Sequence, residues 1–182
     1  MPPKIKFSKE KIAEKALEIV RQSGIENLSA RSLAEELGCS PQPIFSYFEN
    51  MEEVKLKVFE MAVDEYNSYT ECEVKKGIYP EYKSRGMAYI RFAREEKQLF
   101  RLLFMGDKKA VSSTDELFDN EVVRLTENLK LTNDKARLFH LEMWIFVHGI
   151  ASMMVSESID LEEDLISGML SDIYKGLTAG IE

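Results

Sequence analysis

The side chains best suited to chemistry lie around one short stretch, GCSPQPIFSYF, which covers residues 38–48. The amide of Gln42 donates and accepts hydrogen bonds at once, as the major-groove edge of adenine requires. The ring of Pro43 offers apolar contact to a thymine methyl group. These groups form hydrogen bonds and apolar contacts and break no covalent bond, so they suit non-covalent recognition of DNA bases. Candidates for phosphate contact are Ser29, Arg31, Ser40 and Tyr47, and Ser46 lies one turn after Gln42.

The rest of the chain predicts a binding protein and not an enzyme. No serine, cysteine or carboxylate group has catalytic spacing, and the sequence contains no Gly-rich phosphate loop. His140 and His148 lie two helical turns apart without a cysteine or carboxylate pattern, so we expect no metal site and no cofactor. Cys39 and Cys72 are isolated thiols that suit a reducing cytosol, which predicts a cytoplasmic protein.

The charge distribution favours nucleic-acid binding by one end of the chain. The 182 residues carry a net charge of −8, yet residues 1–50 hold seven basic and seven acidic side chains. Residues 1–21 alone carry six basic and three acidic side chains, which form a basic arm on an acidic body. The longest apolar stretch, Met143–Val155, is too short to span a bilayer, so we interpret it as a buried helix and expect no membrane partner.

Hydrophobic spacing predicts an all-α protein with about nine helices. A first helix ends before Gly24, and Ser29 caps a short second helix that ends at Gly38. A third helix follows three residues later, because Ser40 can cap it and a proline in the first turn loses no hydrogen bond. This spacing predicts a helix-turn-helix whose second helix enters the major groove by its N-terminal residues. A plain helical corner is the alternative interpretation.

The sequence divides at about residue 50 into two predicted domains. Residues 1–50 form the three-helix DNA-binding domain, and residues 51–182 form a larger helical bundle. Residues 51–75 form a linking helix, which ends at a break in KKGIYPE where glycine and proline interrupt helix.

Residues 9–60 resemble the DNA-binding domain of the tetracycline-repressor (TetR) family of transcriptional regulators. The resemblance rests on SGIENLSARSLAEELGCSPQPIFSYFENMEEV and on the spacing of its glycines, small residues and aromatics. Phe45 stands where a phosphate-contacting tyrosine is common, and Met51 stands where lysine is usual. The matching positions are Gly24, Ser29, Arg31, Leu33, Ala34, Gly38, Cys39, Ser40, Ile44, Phe45, Tyr47, Phe48, Asn50, Glu52 and Val54.

The second half resembles the TetR-type C-terminal domain that is named for its Trp-His-Gly motif. The stretches AYIRFAREEKQLFRLLF, residues 88–104, and WIFVHG, residues 144–149, carry this likeness. Lys97 sits where that subfamily usually has proline. Together the two resemblances cover most of the chain and imply a TetR-family transcriptional regulator.

The resemblance implies a homodimer that binds a palindromic DNA operator, most simply as a repressor. It assigns residues 51–182 to effector binding and dimerisation, with the last two helices pairing with those of a second copy. The apolar stripe of the last helix agrees, since it offers more apolar surface than one small domain needs. The stripe residues expected at the dimer interface are Leu161, Leu165, Met169 and Ile173.

The resemblance also implies a small-molecule pocket, whose occupation shifts the dimer toward a form that no longer fits DNA. Aromatic and methionine residues between positions 87 and 154 predict an apolar or aromatic effector. The alternative is ordinary core, with Trp144 as a packed aromatic and His148 as a hydrogen-bonded core histidine. The candidate pocket residues are Tyr89, Phe92, Phe100, Phe104, Met105, Trp144 and His148.

A second hypothesis is a helical ligand-binding or protein-interaction bundle whose DNA-reading head has lost affinity. Phe45, Met51 and the zero net charge of residues 1–50 motivate it. The two hypotheses differ in whether the protein selects a DNA sequence.

Overall fold

The computed structural model describes residues 7–106 and 112–180, and all regular secondary structure among these residues is helical. The prediction of an all-α protein is therefore confirmed. The described residues form eight α-helices, one fewer than the sequence predicts, because the third N-terminal segment is not an α-helix. They are α1 (Lys9–Ser23), α2 (Ala30–Glu36), α3 (Met51–Lys75), α4 (Glu81–Glu95), α5 (Lys97–Phe100), α6 (Ser112–Leu129), α7 (Asn133–Val155) and α8 (Glu163–Ala179).

The described residues pack into two compact units. The first unit contains the described residues of 1–65 together with 98–106, and the second contains 66–97 and the described residues of 107–182. Helix α3 therefore contributes residues to both units. The predicted division at residue 50, into a DNA-binding and an effector-binding part, stays a prediction.

The first unit has a small apolar core that α1 and α2 help to enclose. Ser8 caps α1 by accepting a hydrogen bond from the Lys11 backbone N–H at 3.2 Å. Helix α1 ends at Gly24, whose φ of +89° is a conformation that glycine adopts at little cost. Side chains with no exposed surface in this core are Ile12, Ala16, Val20, Leu33, Ile44, Val54 and Val58.

Local hydrogen bonds fix both ends of α2. At its start, Ser29 and Ser32 each accept the other's backbone N–H, at 3.1 and 2.9 Å, which makes a capping box. At its end, Gly38 has a φ of +65°, and the Cys39 N–H donates to the Ala34 carbonyl at 2.9 Å. This is a Schellman motif, so the left-handed Gly38 that the sequence predicts is confirmed.

The third helix that the sequence predicts is a tight turn in the structure. We name residues Pro41–Phe48 the recognition segment; its regular part is a 3-10 helix, Ile44–Ser46. Three backbone N–H groups of the segment donate to carbonyl oxygens three residues earlier, at 3.0–3.2 Å. Pro43 has no N–H, and a residue that precedes proline, here Gln42, avoids the α conformation. The two prolines therefore replace the first turn of an α-helix by a tighter one.

Helix α7 is the centre of the second unit, where it packs against α4, α6 and α8. It is the one described helix long and apolar enough, by length and composition alone, to cross a membrane. Its packing against three other helices gives a simpler account, because the central helix of a bundle needs the same apolar composition.

A buried carboxylate joins three helices of the second unit. The Glu73 side chain on α3 is 2% exposed and accepts hydrogen bonds from Arg91 on α4 at 2.6 Å and from Lys76 at 2.7 Å. Arg91 also donates to Glu163 on α8 at 3.0 Å. A buried charge is tolerated only with such partners, so the network fixes the end of α3 against α4 and α8.

Candidate functional site

Arg31 is the one Lys or Arg side chain among the described residues 7–65 that forms no ion pair. It is exposed in the first turn of α2, two residues after the Ser29 cap. Its charge is therefore left for an external anion, whereas Lys4 and Lys6 of the predicted basic arm lie outside the described residues. The cations that already have a carboxylate partner are Lys9, Lys11, Lys15, Arg21, Lys55 and Lys57.

The recognition segment and the residue before it present most of the predicted contact residues to solvent. Pro43 is half-buried. Phe45, which stands where a phosphate-contacting tyrosine is common, keeps 44% of its surface exposed, while Ile44 and Phe48 are buried. The exposed residues are Ser40, Pro41, Gln42, Phe45, Ser46 and Tyr47.

The groups on this surface bind by hydrogen bonds and apolar contact. The Ser46 hydroxyl donates to the Gln42 backbone carbonyl at 3.4 Å, so this contact uses the main chain and not the amide of Gln42. The Ser29 hydroxyl is already engaged in the α2 capping box. The arrangement therefore offers one amide, several hydroxyls, one cation and two exposed aromatic rings.

Helices α3, α4 and α7 contribute to an aromatic cluster in the second unit, made of Tyr66, Tyr89, Phe92, Trp144 and His148. The Tyr89 hydroxyl and His148 Nδ1 are hydrogen-bonded at 2.8 Å. The Trp144 ring stacks on the His148 ring, with centroids 4.9 Å apart and planes at 18°. Tyr66 meets Tyr89 and Phe92 edge-on, at 6.0 and 5.5 Å. Trp144 is 36% exposed, so the cluster reaches the surface.

Tyr66 is the member of the aromatic cluster that the sequence-predicted set lacks. Helical spacing in the sequence could have identified Tyr66. It lies four residues before Thr70 and seven before Glu73, and both of these residues are buried on the same helix. Burial raises the pKa of Tyr66 to about 12, so its hydroxyl stays neutral.

Four of the seven predicted pocket residues form one cluster in the second unit, and the other three belong to the first unit. Tyr89, Phe92, Trp144 and His148 belong to the aromatic cluster, whereas residues 98–106 belong to the first unit. In that unit the rings of Phe100 and Phe104 lie 5.0 Å apart, and Met105 is 48% exposed.

A second tyrosine–histidine pair lies earlier on the same two helices. The Tyr82 hydroxyl and His140 Nδ1 are hydrogen-bonded at 2.9 Å, and the Phe118 ring lies 4.5 Å from the imidazole. Burial lowers the pKa of His140 from 6.5 to about 4, and desolvation lowers the pKa of the less buried His148 as well. Among the described residues, no group of His, Cys, Asp or Glu is placed to hold a metal ion.

The face of α7 opposite its buried side is also apolar. Leu138, Leu141, Ile145 and Met153 are 57, 40, 58 and 46% exposed and recur at helical spacing. Gly149 lies between the last two, and a Cβ there would meet no atom within 4 Å. We name these five residues the outer face of α7. An exposed apolar stripe of this length is typical of an interaction surface.

The predicted dimer residues on and before α8 differ in exposure. Leu165 is 53% exposed, and Leu161 and Met169 are partly exposed. Ile173 packs partly against an inner cluster that contains Phe139. The outer face of α7 is missing from the predicted set, although its helical spacing is present in the sequence.

Comparison with known proteins gives a consistent set of similarities. Residues 83–169 match the family model of the tetracyclin repressor-like C-terminal domain. A relative from Bacillus subtilis (strain 168), described as the uncharacterized HTH-type transcriptional regulator YobS, is 22% identical over 184 residues. The match covers 93% of this chain and 90% of that relative. The narrower resemblance to the Trp-His-Gly subtype stays a prediction.

Two solved structures from Rhodococcus sp. RHA1 have the same fold. One, described as a protein with unknown function, has a TM-score of 0.77 at 18% identity and covers 97% of this chain and 98% of its own. The other, described as a TetR-like transcriptional regulator, has a TM-score of 0.71 at 14% identity and covers 99% of each chain. The described helices therefore follow a fold that such a regulator also has.

We expect His140 to make the protein less stable in mild acid. The unfolded state takes up a proton near pH 6.5 and the folded state only near 4, so stability is lost as the pH falls between these values. The loss from this residue is on the order of 3 kcal/mol. Urea unfolding followed by circular dichroism at a series of pH values measures it.

His140→Gln is expected to reduce the slope of stability against pH in that window. His148→Gln, at the less buried histidine, is the matched control and should reduce it less. An unchanged slope in the His140 variant would contradict the assignment.

Proposed function

We propose that this chain, whose residues 83–169 match the tetracyclin repressor-like C-terminal domain, is a TetR-family transcriptional regulator that binds a palindromic DNA operator as a homodimer. We propose further that it acts in the cytoplasm as a repressor, which a small apolar or aromatic effector releases. The observation that carries the DNA-binding part is the exposed recognition segment after α2, with the unpaired cation Arg31 beside the α2 cap.

The DNA contacts divide between phosphates and bases. Arg31 and Tyr47 supply a cation and a hydroxyl for phosphate oxygens, and Ser29 and Ser40 supply further hydroxyls. Gln42 lies at the start of the recognition segment, where a helix-turn-helix protein reads base edges, and its amide suits adenine. Pro43 and Ser46 complete the proposed reading surface.

The homodimer is supported by the apolar surface of the last two helices. The outer face of α7 and Leu165 on α8 expose large aliphatic side chains that a monomer gains nothing by presenting to water. Residues Gly149 and Gly168 have open space above the backbone, which allows a second helix to approach closely. Two-fold pairing of this face gives two reading heads and hence a palindromic site.

The effector site is proposed at the aromatic cluster. Its rings provide apolar walls, and the hydrogen-bonded Tyr89 and His148 provide neutral polar groups for orientation. Trp144 gives access from the surface, since it is partly exposed. An effector that binds better to the form that does not fit DNA would release the operator by population shift.

Selection of the purified protein against random double-stranded DNA tests the proposal. An enriched palindrome supports the reading head and the two-fold dimer together. Weak, salt-sensitive binding without enrichment would contradict the proposal and favour a helical ligand-binding or interaction bundle with a weakened reading head.

Substitutions at Arg31 and Gln42 are expected to weaken DNA binding in different ways. Arg31→Ala removes a phosphate contact, so it should weaken binding to all sequences and flatten the salt dependence. Gln42→Ala removes a base contact, so it should change preference at one base pair in each half-site, by roughly 1–3 kcal/mol. Titration of operator variants at several salt concentrations distinguishes the two. Equal weakening of every sequence by Gln42→Ala would contradict its base-reading role.

Ile145→Asp is expected to convert the dimer into a monomer. Ile145 is 58% exposed, so the fold of the single chain should tolerate the change, while the dimer would bury a charge near its own copy. We expect the dimer to weaken at least about 100-fold, measured by sedimentation. Leu56→Asp on α3, at a residue 59% exposed, is the matched control. A dimer that survives Ile145→Asp would exclude the outer face of α7 as the interface.

Tyr89→Phe is expected to weaken effector binding about tenfold, since it removes the hydroxyl proposed to orient the effector and, with it, one hydrogen bond. Trp144 is the single tryptophan of the chain, so its fluorescence reports on compounds that enter the cluster. The control is Tyr82→Phe, which removes the equivalent hydroxyl from the other tyrosine–histidine pair and should leave binding unchanged. Equal effects of the two substitutions, or no compound that changes the fluorescence, would count against this site.

A further inference from the structure

We propose that Phe45 reads a thymine methyl group beside the base pair that Gln42 contacts. The inference rests on the proposed DNA binding and deepens it, because it assigns a specificity-determining role to a residue outside the predicted contact set. Three observations carry it: the exposure of the ring, the geometry of the turn, and the chemistry of the side chain.

The ring of Phe45 is not needed by the core of the first unit. Its neighbours Ile44 and Phe48 are 0 and 2% exposed, whereas Phe45 keeps 44% of its surface in water. Both aromatic rings belong to the same short segment, so the fold buries one and presents the other. Covering an apolar group of this size with a binding partner lowers the free energy of the complex.

Phe45 lies three residues after Gln42, about one turn further along the recognition segment. The 3-10 helix begins at Ile44 and includes Phe45, while Gln42 lies in the turn just before it. Both side chains are exposed, and the Ser46 hydroxyl donates to the Gln42 carbonyl across this turn. The segment therefore offers DNA a base-reading amide and an apolar ring one turn apart.

The chemistry of phenylalanine selects the group that it contacts. A phenyl ring has no hydroxyl, so Phe45 does not form the phosphate hydrogen bond that a tyrosine here would form. The thymine methyl is the apolar group that base pairs present in the major groove. Pro43, the residue predicted for this contact, is half-buried, so Phe45 offers the more accessible apolar surface. The pair is thus suited to neighbouring A·T base pairs.

Replacement of thymine by deoxyuridine tests the proposal, because it removes the methyl and keeps every hydrogen-bonding group. The palindrome enriched by the wild-type protein is synthesised with each thymine replaced in turn, symmetrically in both half-sites. We expect one position at which the wild-type protein loses affinity, roughly fourfold per half-site, as for one buried methyl. That position should lie next to the base pair at which Gln42→Ala changes preference.

Phe45→Ala is expected to abolish the sensitivity at that position, and Phe45→Leu to retain part of it. Leu56→Ala on α3, at a residue 59% exposed outside the recognition segment, is the control and should keep the full sensitivity. Circular dichroism and retained affinity for the deoxyuridine operator show that the variants remain folded. An operator whose thymines are all replaceable without loss, or a sensitivity that survives Phe45→Ala, would overturn the proposal. Either result would contradict the role of Phe45 without contradicting DNA binding. A selection that enriches no palindrome would instead contradict the proposed function itself.

Discussion

The second unit is organised by the need to cover α7, a helix that is apolar on opposite faces. One face is buried against α4, α6 and α8, and the other exposes Leu138, Leu141 and Ile145. Both histidines of α7 are hydrogen-bonded to tyrosines of α4, which satisfies ring nitrogens that packing removes from water. The exposed face is the reason to expect a second copy, since no described helix of the chain covers it.

Two prolines determine the shape of the recognition segment in the first unit. Where the sequence predicts a second helix of the helix-turn-helix, they leave a turn whose regular part is a 3-10 helix of three residues. A shorter segment buries fewer side chains, and the anchors that remain are Ile44 and Phe48. As a consequence, five of the eight side chains of the recognition segment are exposed, and two of these five are aromatic.

The sequence was sufficient for the features that local patterns determine. The all-α class and the left-handed Gly38 at the end of α2 follow from helical spacing and capping residues. The resemblance of the second half to a TetR-type C-terminal domain agrees with the family model that matches residues 83–169. The sequence was insufficient where a residue's environment depends on distant parts of the chain. The assignment of Phe100 and Tyr89 to different units, and the exposure of Phe45, depend on tertiary packing, which spacing along one helix does not encode.

The charge pattern of the first unit decides which contacts can carry DNA binding. Phosphate contacts supply most of the affinity when many unpaired cations face the duplex. Here six of the seven described cations between residues 7 and 65 already hold carboxylates, which a phosphate would have to displace. With Arg31 alone unpaired in that range, the proposed complex assigns Gln42 and Phe45 a larger share of the affinity. A turn restrained by two prolines loses less conformational entropy on binding than a flexible one, so we expect the prolines to strengthen the proposed contacts.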